Sequence, residues 1–145
     1  MRYSREHATE AFFKEIHKLT EDHHEEVGNA HDLDPDFNLY LKIEEAGGLR
    51  VYTVRQGDTL KGYAVFFYAI DIHHKTVLRA TQDLLYLDPS VRALNAMKFI
   101  KWCDAQLKEE GVQRVYHYVT VAKDFSKLLQ RMGYKKNSEL WDRSL

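Results

Sequence analysis

A stretch in the middle of the chain, Tyr86–Met97 (YLDPSVRALNAM), has the pattern of a phosphate-binding turn. The pattern indicates the end of a strand, a turn marked by Pro89 and the first residues of an amphipathic helix. Such a turn can hold phosphate because the first backbone N–H groups of a helix have no partner within the helix. Glycines usually let a phosphate approach these groups, and this stretch has none. The sequence therefore predicts a turn with the backbone architecture of an anion site but without the glycines that let an anion approach it.

Histidine and cysteine are the other residue types that could do chemistry here, with eight histidines and one cysteine in the chain. His17, Glu21 and His24 have helical spacing and could share one face of a helix, as zinc ligands do. We interpret them as exposed residues of a surface helix and predict no metal site. Cys103 falls on the apolar face of a predicted helix, so we expect a buried structural thiol. A single cysteine allows no disulfide framework.

Length and composition indicate a globular protein. The 145 residues fit one domain spanning 1–145 with a core of its own. The net charge is −1, and the basic residues are mixed with acidic ones, so we expect no binding to nucleic acid or to an anionic membrane. The sequence shows no apolar run of membrane-spanning length, and its first residues do not resemble a signal peptide. We therefore expect a cytoplasmic protein.

Apolar periodicity and turn residues predict four helices, spanning residues 5–27, 34–47, 92–110 and 124–132. The second prediction is the least obvious, because residues 37–43 also alternate like a strand. Both of its ends are signalled, however. Asp34 suits the N-cap, Pro35 suits the first helical position, and Gly47 suits the end of a helix.

Strand patterns fill the rest of the chain. Two runs on either side of a QGD turn predict a hairpin, and the segment TVLRATQDLLYL predicts a third antiparallel strand after the turn DIHHK. The segments VQRVYHYVT and ELWDRSL predict two further strands. The region from Leu78 to Thr120 reads as strand, helix and strand, which predicts a right-handed parallel crossover. Together these elements form a mixed sheet with helices on its faces.

This order of elements resembles the GNAT family, the acyl-CoA-dependent N-acetyltransferases, over nearly the whole chain. The segments LKGYAVF, DLLYLDPSVR and LLQRMGY are similar to three characteristic segments of that family. These are a strand that begins with Gly, the central strand with its turn, and the closing helix. The segments HHK and ATQDLLYLDPSVR look most like GNAT-like proteins encoded by tailed phages. The resemblance implies an α/β (α+β) fold with a mixed, mostly antiparallel sheet and helices on both faces.

The resemblance also implies acetyl-CoA, or CoA, as the cofactor. The family's pyrophosphate signature, Q/R-x-x-G-x-G/A, falls on Arg92, Ala93, Leu94, Asn95, Ala96 and Met97. Arg92 fits, but Asn95 stands where the family has Gly, and Met97 stands where it has Gly or Ala. Larger side chains there push a pyrophosphate away from the backbone. In the family, backbone groups of the central strand hold the pantetheine arm. Leu85 and Leu87 are the matching residues.

Acid and base residues are implied in the same way. The family often places a carboxylate on the central strand, four residues before its last apolar position, and Asp83 stands there. Burial would raise the pKa of such a carboxyl and make it a better base. The family's usual acid is a tyrosine of the last helix, whose position falls on Leu129. Tyr118 and Tyr134 are the candidate substitutes, with Tyr116 as a further one.

Three histidines are candidates for binding the acceptor substrate. His73 and His74 lie in the predicted turn, which the resemblance puts near the acceptor side of the cleft. His117 lies on a predicted buried strand, where it is either a core histidine or a proton carrier. The two substrates would be an acyl-CoA and a primary amine whose identity the sequence leaves open.

A non-catalytic role is the alternative. Asn95, Met97 and the missing helix tyrosine favour a GNAT-like protein that binds a partner protein, which would be a host protein if the chain is viral. A structural role in a virion is a third reading. A homodimer through an edge strand near Trp141 is also left open.

Overall fold

The computed structural model describes residues 1–28 and 31–145. Five strands form one sheet in chain order: β1 (Arg2–Glu6), β2 (Leu49–Gln56), β3 (Thr59–Asp71), β4 (His74–Leu87) and β5 (Arg114–Tyr116). The helices are α1 (Glu10–Val27), α2 (Phe37–Glu45), α3 (Pro89–Glu109) and α4 (Ser126–Arg131). Strands β1 to β4 pair antiparallel, whereas β4 and β5 pair parallel. The predicted fold class, a mostly antiparallel mixed sheet with helices, is confirmed.

The sheet separates two apolar clusters. On one face, Phe12 and Ile16 of α1 pack with residues of β2, β3 and β4, and α2 covers part of the same cluster. On the other face, Phe99, Cys103 and Leu107 of α3 form the core with residues from the opposite side of the strands. Cys103 is buried, as the sequence predicted. None of the helices in the described part of the chain is long and apolar enough to cross a membrane.

The three central strands are the predicted ones, and their pairing contains one irregularity that matters for the site. Along β4, Leu84 pairs with Val65 and Gln82 pairs with Phe66, so Asp83 is an extra residue between two ladder positions. An extra residue of this kind is a β-bulge, and bulges are common next to functional sites because they redirect side chains.

The N-terminus differs from the prediction. The helix predicted from residue 5 begins at Glu10, where the Thr9 side chain accepts a hydrogen bond from the backbone N–H of Phe12. Residues Arg2–Glu6 form the edge strand β1 instead, paired with β2. Pairing with a distant strand outweighs local helical propensity there, and an ion pair between Glu6 and Arg55 (2.7 Å) ties the two strands together.

The starts of α2 and α3 also differ. Asp36, not Asp34, caps α2, because its carboxylate accepts from the backbone N–H of Leu39 (2.9 Å). The helix α3 begins at Pro89, three residues before the predicted start at Arg92. Pro is well suited to the first position of a helix, since that position needs no N–H donor.

The last two predicted strands are mostly absent. Of the segment VQRVYHYVT, only Arg114–Tyr116 pairs with a neighbour. The segment ELWDRSL forms no strand, and Trp141 is 85% exposed. An apolar residue without a paired neighbour does not form a strand, because strands are stabilised by cross-strand contacts. The predicted edge strand near Trp141 is therefore wrong.

Candidate active site

The sheet opens between β4 and β5. The two strands pair only where Arg79–Thr81 lies beside Arg114–Tyr116. From Gln82 to Leu87, β4 pairs with β3 alone, and no strand within residues 1–28 and 31–145 covers its other edge. We call this stretch the open edge. Backbone groups that point away from β3 and have no other partner are available there to a bound molecule that lies alongside the strand.

Leu85 and Leu87 direct their backbone groups toward the open edge. The N–H of Asp88 donates to Lys61 of β3 (2.8 Å), so the Leu87 carbonyl, on the same peptide unit, points the other way. That carbonyl accepts from Arg92 rather than from β3. Because the groups of a strand alternate with a period of two, those of Leu85 face the open edge as well. The predicted pantetheine contacts need backbone groups that face this way. Those of Leu85 do so, whereas the carbonyl of Leu87 is already bonded to Arg92.

Asp83 lies at the point where the open edge begins. Its carboxylate is half-buried beneath α2 and accepts a hydrogen bond from the hydroxyl of Tyr40. Burial raises the pKa of Asp83 above that of an exposed carboxyl, although the Tyr40 bond works in the opposite direction. A carboxyl with a raised pKa at the edge of a cleft is well suited to accept a proton.

On the opposite face of the sheet, His117 and Gln82 join the two strands just past their last paired residues. The distance from His117 Nδ1 to Gln82 Oε1 is 2.6 Å, and an amide oxygen only accepts, so Nδ1 carries the hydrogen. The Nε2 atom is buried without a partner among the described residues. Burial lowers the pKa of His117 to about 4, so the ring is neutral with a free lone pair at Nε2. The rings of Phe66, Phe125 and Tyr134 surround it.

The two candidate acids have different surroundings. The hydroxyl of Tyr134 donates to Asp104 on α3 (2.6 Å), and burial together with this bond raises the pKa of Tyr134. Burial also raises the pKa of Asp104. Tyr118 is 56% exposed, two residues past the end of β5. Leu129, at the family's tyrosine position, is buried in the core.

The structure does not bring His73 and His74 to this site. His73 lies in the turn between β3 and β4, and His74 is the first residue of β4. Asp71 accepts from the backbone N–H of His73 (2.9 Å) and lies 3.4 Å from the ring of His74. His74 is eight residues from Gln82 along an extended strand, which corresponds to about 26 Å. Their predicted role in substrate binding would need a substrate that extends this far.

The start of α3 has no free backbone donor in its first turn. Asp88 accepts from the N–H of Ser90 through its carboxylate (2.8 Å) and from the N–H groups of Val91 and Arg92 through its carbonyl (3.0 and 3.1 Å). Pro89 has no N–H group. The hydrogen bonds from Ser90 lower the pKa of Asp88, so its carboxylate is ionised at neutral pH. The following residues, from Ala93 to Met97, lie inside the helix, where each N–H donates to a carbonyl four residues earlier.

Arg92 is occupied as well. Its Nε and Nη2 atoms donate to the Leu87 carbonyl (2.9 and 2.7 Å), and Nη2 also donates to Glu26 of α1 (2.8 Å). Lys123, in the segment between β5 and α4, lies 3.2 Å from the same carboxylate. Burial opposes ionisation of Glu26, but the hydrogen bonds from Arg92 and Lys123 outweigh it and lower its pKa. We call Glu26, Arg92 and Lys123 the Glu26 cluster.

Asn95 has a structural role. Its Oδ1 accepts from the hydroxyl of Tyr3 on β1 (2.9 Å), and its Nδ2 donates to the Val91 carbonyl (2.8 Å). Only 9% of Asn95 is exposed. Its side chain is therefore turned to the edge strand, where it fixes β1 to α3. Met97 is half-buried two residues further along the helix.

Acetyl-CoA, which the resemblance implies, fits this site only in part. A pantetheine arm contains two amide groups, and the open edge offers backbone donors and acceptors at Leu85 to bind them. A diphosphate needs free N–H groups or unpaired cations. At the start of α3 the first-turn N–H groups are used, and two carboxylates, those of Asp88 and Glu26, are already present.

Two surface cavities lie away from the open edge. One, of about 520 Å³, lies beside α3 and contains Asp104 and Tyr134 in its wall. The other, of about 600 Å³, lies between α1 and α2. Neither cavity has a residue of the open edge in its wall.

Three residues of the site were not foreseen: Tyr40, Gln82 and Glu26. Each is recognised only by a partner distant in the sequence, namely Asp83, His117 and Arg92 respectively. No local pattern marks such a pairing. The acidic residue Asp88 carried a signal that could have been used, since Asp before Pro is a typical helix start.

No protein-family model and no curated protein matches the chain. Solved structures do resemble it closely in three dimensions. A GCN5-related N-acetyltransferase from Ralstonia eutropha superposes with a TM-score of 0.77 at 17% sequence identity, over 99% of this chain and 97% of the other. A ribosomal-protein-alanine N-acetyltransferase from Brucella melitensis gives a TM-score of 0.74 at 13% identity, over 100% of both chains.

A third similar structure was solved with acetyl-CoA. It is a "predicted acetyltransferase with acetyl-CoA" from Clostridium acetobutylicum, with a TM-score of 0.73 at 11% identity, over 99% of this chain and 95% of the other. At identities this low, the likeness establishes the fold and not the activity. The chain therefore has the fold of the GCN5-related N-acetyltransferases.

Proposed function

We propose that this protein transfers an acyl group from a thioester to a primary amine, where β4 separates from β5. The observation that carries the proposal is Asp83. It is the bulged residue of β4, its carboxyl is half-buried with a raised pKa, and it lies where the open edge begins. The acetyltransferase names of proteins with the same fold support the same class of reaction.

In the proposed reaction, Asp83 accepts a proton from the substrate ammonium. The free amine nitrogen then attacks the thioester carbonyl carbon, so that a C–N bond forms and the C–S bond breaks. The leaving thiolate takes up a proton, for which Tyr118 and Tyr134 are the candidate donors. The backbone groups of Leu85 align the donor's arm along the strand.

Thiol release from acetyl-CoA and from acetylpantetheine, measured with a panel of primary amines, tests the proposal. We expect Asp83→Asn to lower the rate by about 10²–10⁴-fold, the range typical of a general base. Tyr40→Phe removes the bond that lowers the pKa of Asp83, so the acidic limb of the pH profile should move to higher pH.

Asp104→Asn is the matched control, because Asp104 is also half-buried, also has a raised pKa and also accepts from a tyrosine hydroxyl. The proposal expects its rate to stay near that of the wild type. An equal loss in both variants would show that the effect is not specific to Asp83. A loss confined to Asp104→Asn would assign the chemistry to the Asp104–Tyr134 pair, and Tyr134→Phe and Tyr118→Phe would then identify the acid. An unchanged rate in Asp83→Asn would remove Asp83 from the mechanism.

A non-catalytic binding protein is the second candidate, and the closed first turn of α3 favours it. If the anion site has been lost together with catalysis, no thioester should bind, and the protein should instead retain a partner, for example a host protein, in pull-down from its native source. A cytoplasmic location and a homodimer are further proposals, and they are compatible with either function. Thioester binding at micromolar concentration would contradict this alternative.

A further inference from the structure

We infer that the acyl donor is recognised by its acyl-pantetheine arm alone, and that the nucleotide end of coenzyme A adds nothing to its binding. The inference rests on the proposed function, because it assumes that a thioester occupies the open edge. It concerns which part of the donor the protein contacts.

The direction of β4 determines where the far end of a bound arm must lie. An arm bonded to the backbone of Leu85 runs along the open edge, which begins beside Asp83 and ends at Leu87. With its thioester end near Asp83, its other end reaches Asp88 and the first turn of α3. A diphosphate attached to that end would therefore meet the start of α3.

The start of α3 is unfavourable for a diphosphate. The N–H groups of Ser90, Val91 and Arg92 already donate to Asp88, and the residues after them donate within the helix. The ionised carboxylate of Asp88 occupies the helix end, where the helix dipole would otherwise attract an anion. Two phosphates brought to this point would face like charge instead of free donors.

The Glu26 cluster engages two of the nearby cations, and another, Lys61 of β3, lies near the carboxylate of Asp88 and helps to lower its pKa. Arg92 and Lys123 are the basic residues that share one carboxylate next to this turn, and both are bonded to Glu26. Glu26 thus serves as a built-in anion for them. An incoming diphosphate would have to displace Glu26 and leave an ionised carboxylate without its partners, which offsets the gain from the new contacts.

Pantetheine thioesters come from more than one source. The arm can be free, attached to a nucleotide as in coenzyme A, or attached to a serine of a carrier protein. The open edge contacts what these molecules share, namely the acyl thioester and the two amides of the arm. The donor class is therefore an acyl-pantetheine thioester, and the experiment distinguishes its sources.

Calorimetric titration of the whole protein with three probes tests the inference without an acceptor. We expect acetyl-CoA and acetylpantetheine to bind with dissociation constants within about threefold of each other, and adenosine 3′,5′-bisphosphate neither to bind nor to compete. Acetyl-CoA binding more than about 30-fold tighter than acetylpantetheine, or competition by the bisphosphate, would overturn the inference and leave the proposed function intact. Binding of neither thioester at millimolar concentration would overturn both.

An acetylated pantetheine on a carrier protein is the fourth probe. Equal binding to acetylpantetheine would show that the arm itself is sufficient. Binding more than about 30-fold tighter would show contacts with the carrier and would overturn recognition by the arm alone.

Glu26→Gln tests the explanation directly, since it leaves Arg92 and Lys123 without a carboxylate. We expect acetyl-CoA binding to tighten by about 3–10-fold while acetylpantetheine binding stays unchanged. The matched control is Glu25→Gln, which removes the same charge from an exposed neighbour on α1. An unchanged ratio in Glu26→Gln, or an equal change in Glu25→Gln, would overturn the role assigned to Glu26.

Discussion

Replacing His117 with Gln should change how the free energy of unfolding depends on pH. Burial lowers the pKa of His117 from 6.5 to about 4 in the folded protein, so the unfolded chain takes up the proton first as the pH falls. The stability that comes from the neutral ring is therefore complete above pH 6.5 and is lost on going down to pH 4. At about 1.36 kcal/mol for each pH unit, this interval corresponds to about 3 kcal/mol.

Urea unfolding of the wild type and of His117→Gln between pH 4 and pH 8 measures this directly. Glutamine does not titrate, and its amide can still donate to Gln82. Because both proteins share every other titratable group, the difference between their unfolding free energies isolates His117. We expect that difference to change by about 3 kcal/mol from pH 6.5 to pH 4, with the wild type losing more.

Phe125→Leu is the control, since it loosens packing beside His117 and keeps the imidazole. Its unfolding free energy should lie below that of the wild type by an amount that is nearly the same at each pH. If His117→Gln also differs from the wild type by a constant amount, the ring is not buried as a neutral group and the assignment of Nε2 as a free acceptor fails.

Two further variants test the packing around the open edge. Gly62→Ala should lower the unfolding free energy by about 1–3 kcal/mol in thermal unfolding, because a Cβ there would lie 2.5 Å from Leu87 Cδ2 and 2.6 Å from the Tyr86 carbonyl oxygen. An unchanged melting temperature would mean that β3 and β4 are not this close. Asp88→Ala should cost about 0.5–2 kcal/mol in the same assay, because Ser90 loses its capping partner. No loss would show that the carboxylate does not cap α3.

Elements with strong local signals were predictable from the sequence. The hairpin around QGD and the apolar face of α3 have short-range patterns, so both are confirmed. The strand β1 was not predictable, because residues 2–6 lack alternation and gain their order by pairing with residues 51–55. Conversely, Leu140 and Trp141 suggested a strand but find no strand partner among the described residues.

The site was predictable only where a residue's position along one strand decides its role. The resemblance identified Asp83 because the family's carboxylate stands a fixed number of residues before the end of the central strand. The structure adds the bulge that turns the side chain of Asp83 toward α2. The partners Tyr40 and Glu26 lie 43 and 66 residues from the side chains that they contact. Contacts of that span depend on how the helices pack on the sheet, which sequence patterns do not specify.

The start of α3 shows how one set of substitutions produces two effects. Ala93, Leu94, Ala96 and Met97 are good helix formers, whereas each glycine in a helix costs about 1 kcal/mol relative to alanine. With Asp88 as the cap and Pro89 in the first position, these residues extend the helix back to the end of β4. Met97, which stands at a glycine or alanine position of the signature, therefore also helps to build the helix in which these N–H groups are bonded.

Asn95 adds a third effect, since its side chain holds Tyr3 and hence the edge strand β1. Unwinding the first turns of α3 to free their N–H groups would break this bond as well as the cap at Asp88. Anion binding at the start of α3 is thus opposed by the hydrogen bonding of the helix as well as by the side chain of Met97. Shortening Met97 alone would leave the N–H groups bonded within the helix. The proposed recognition of a donor through the open edge needs none of these groups, so the proposal is compatible with a closed first turn of α3.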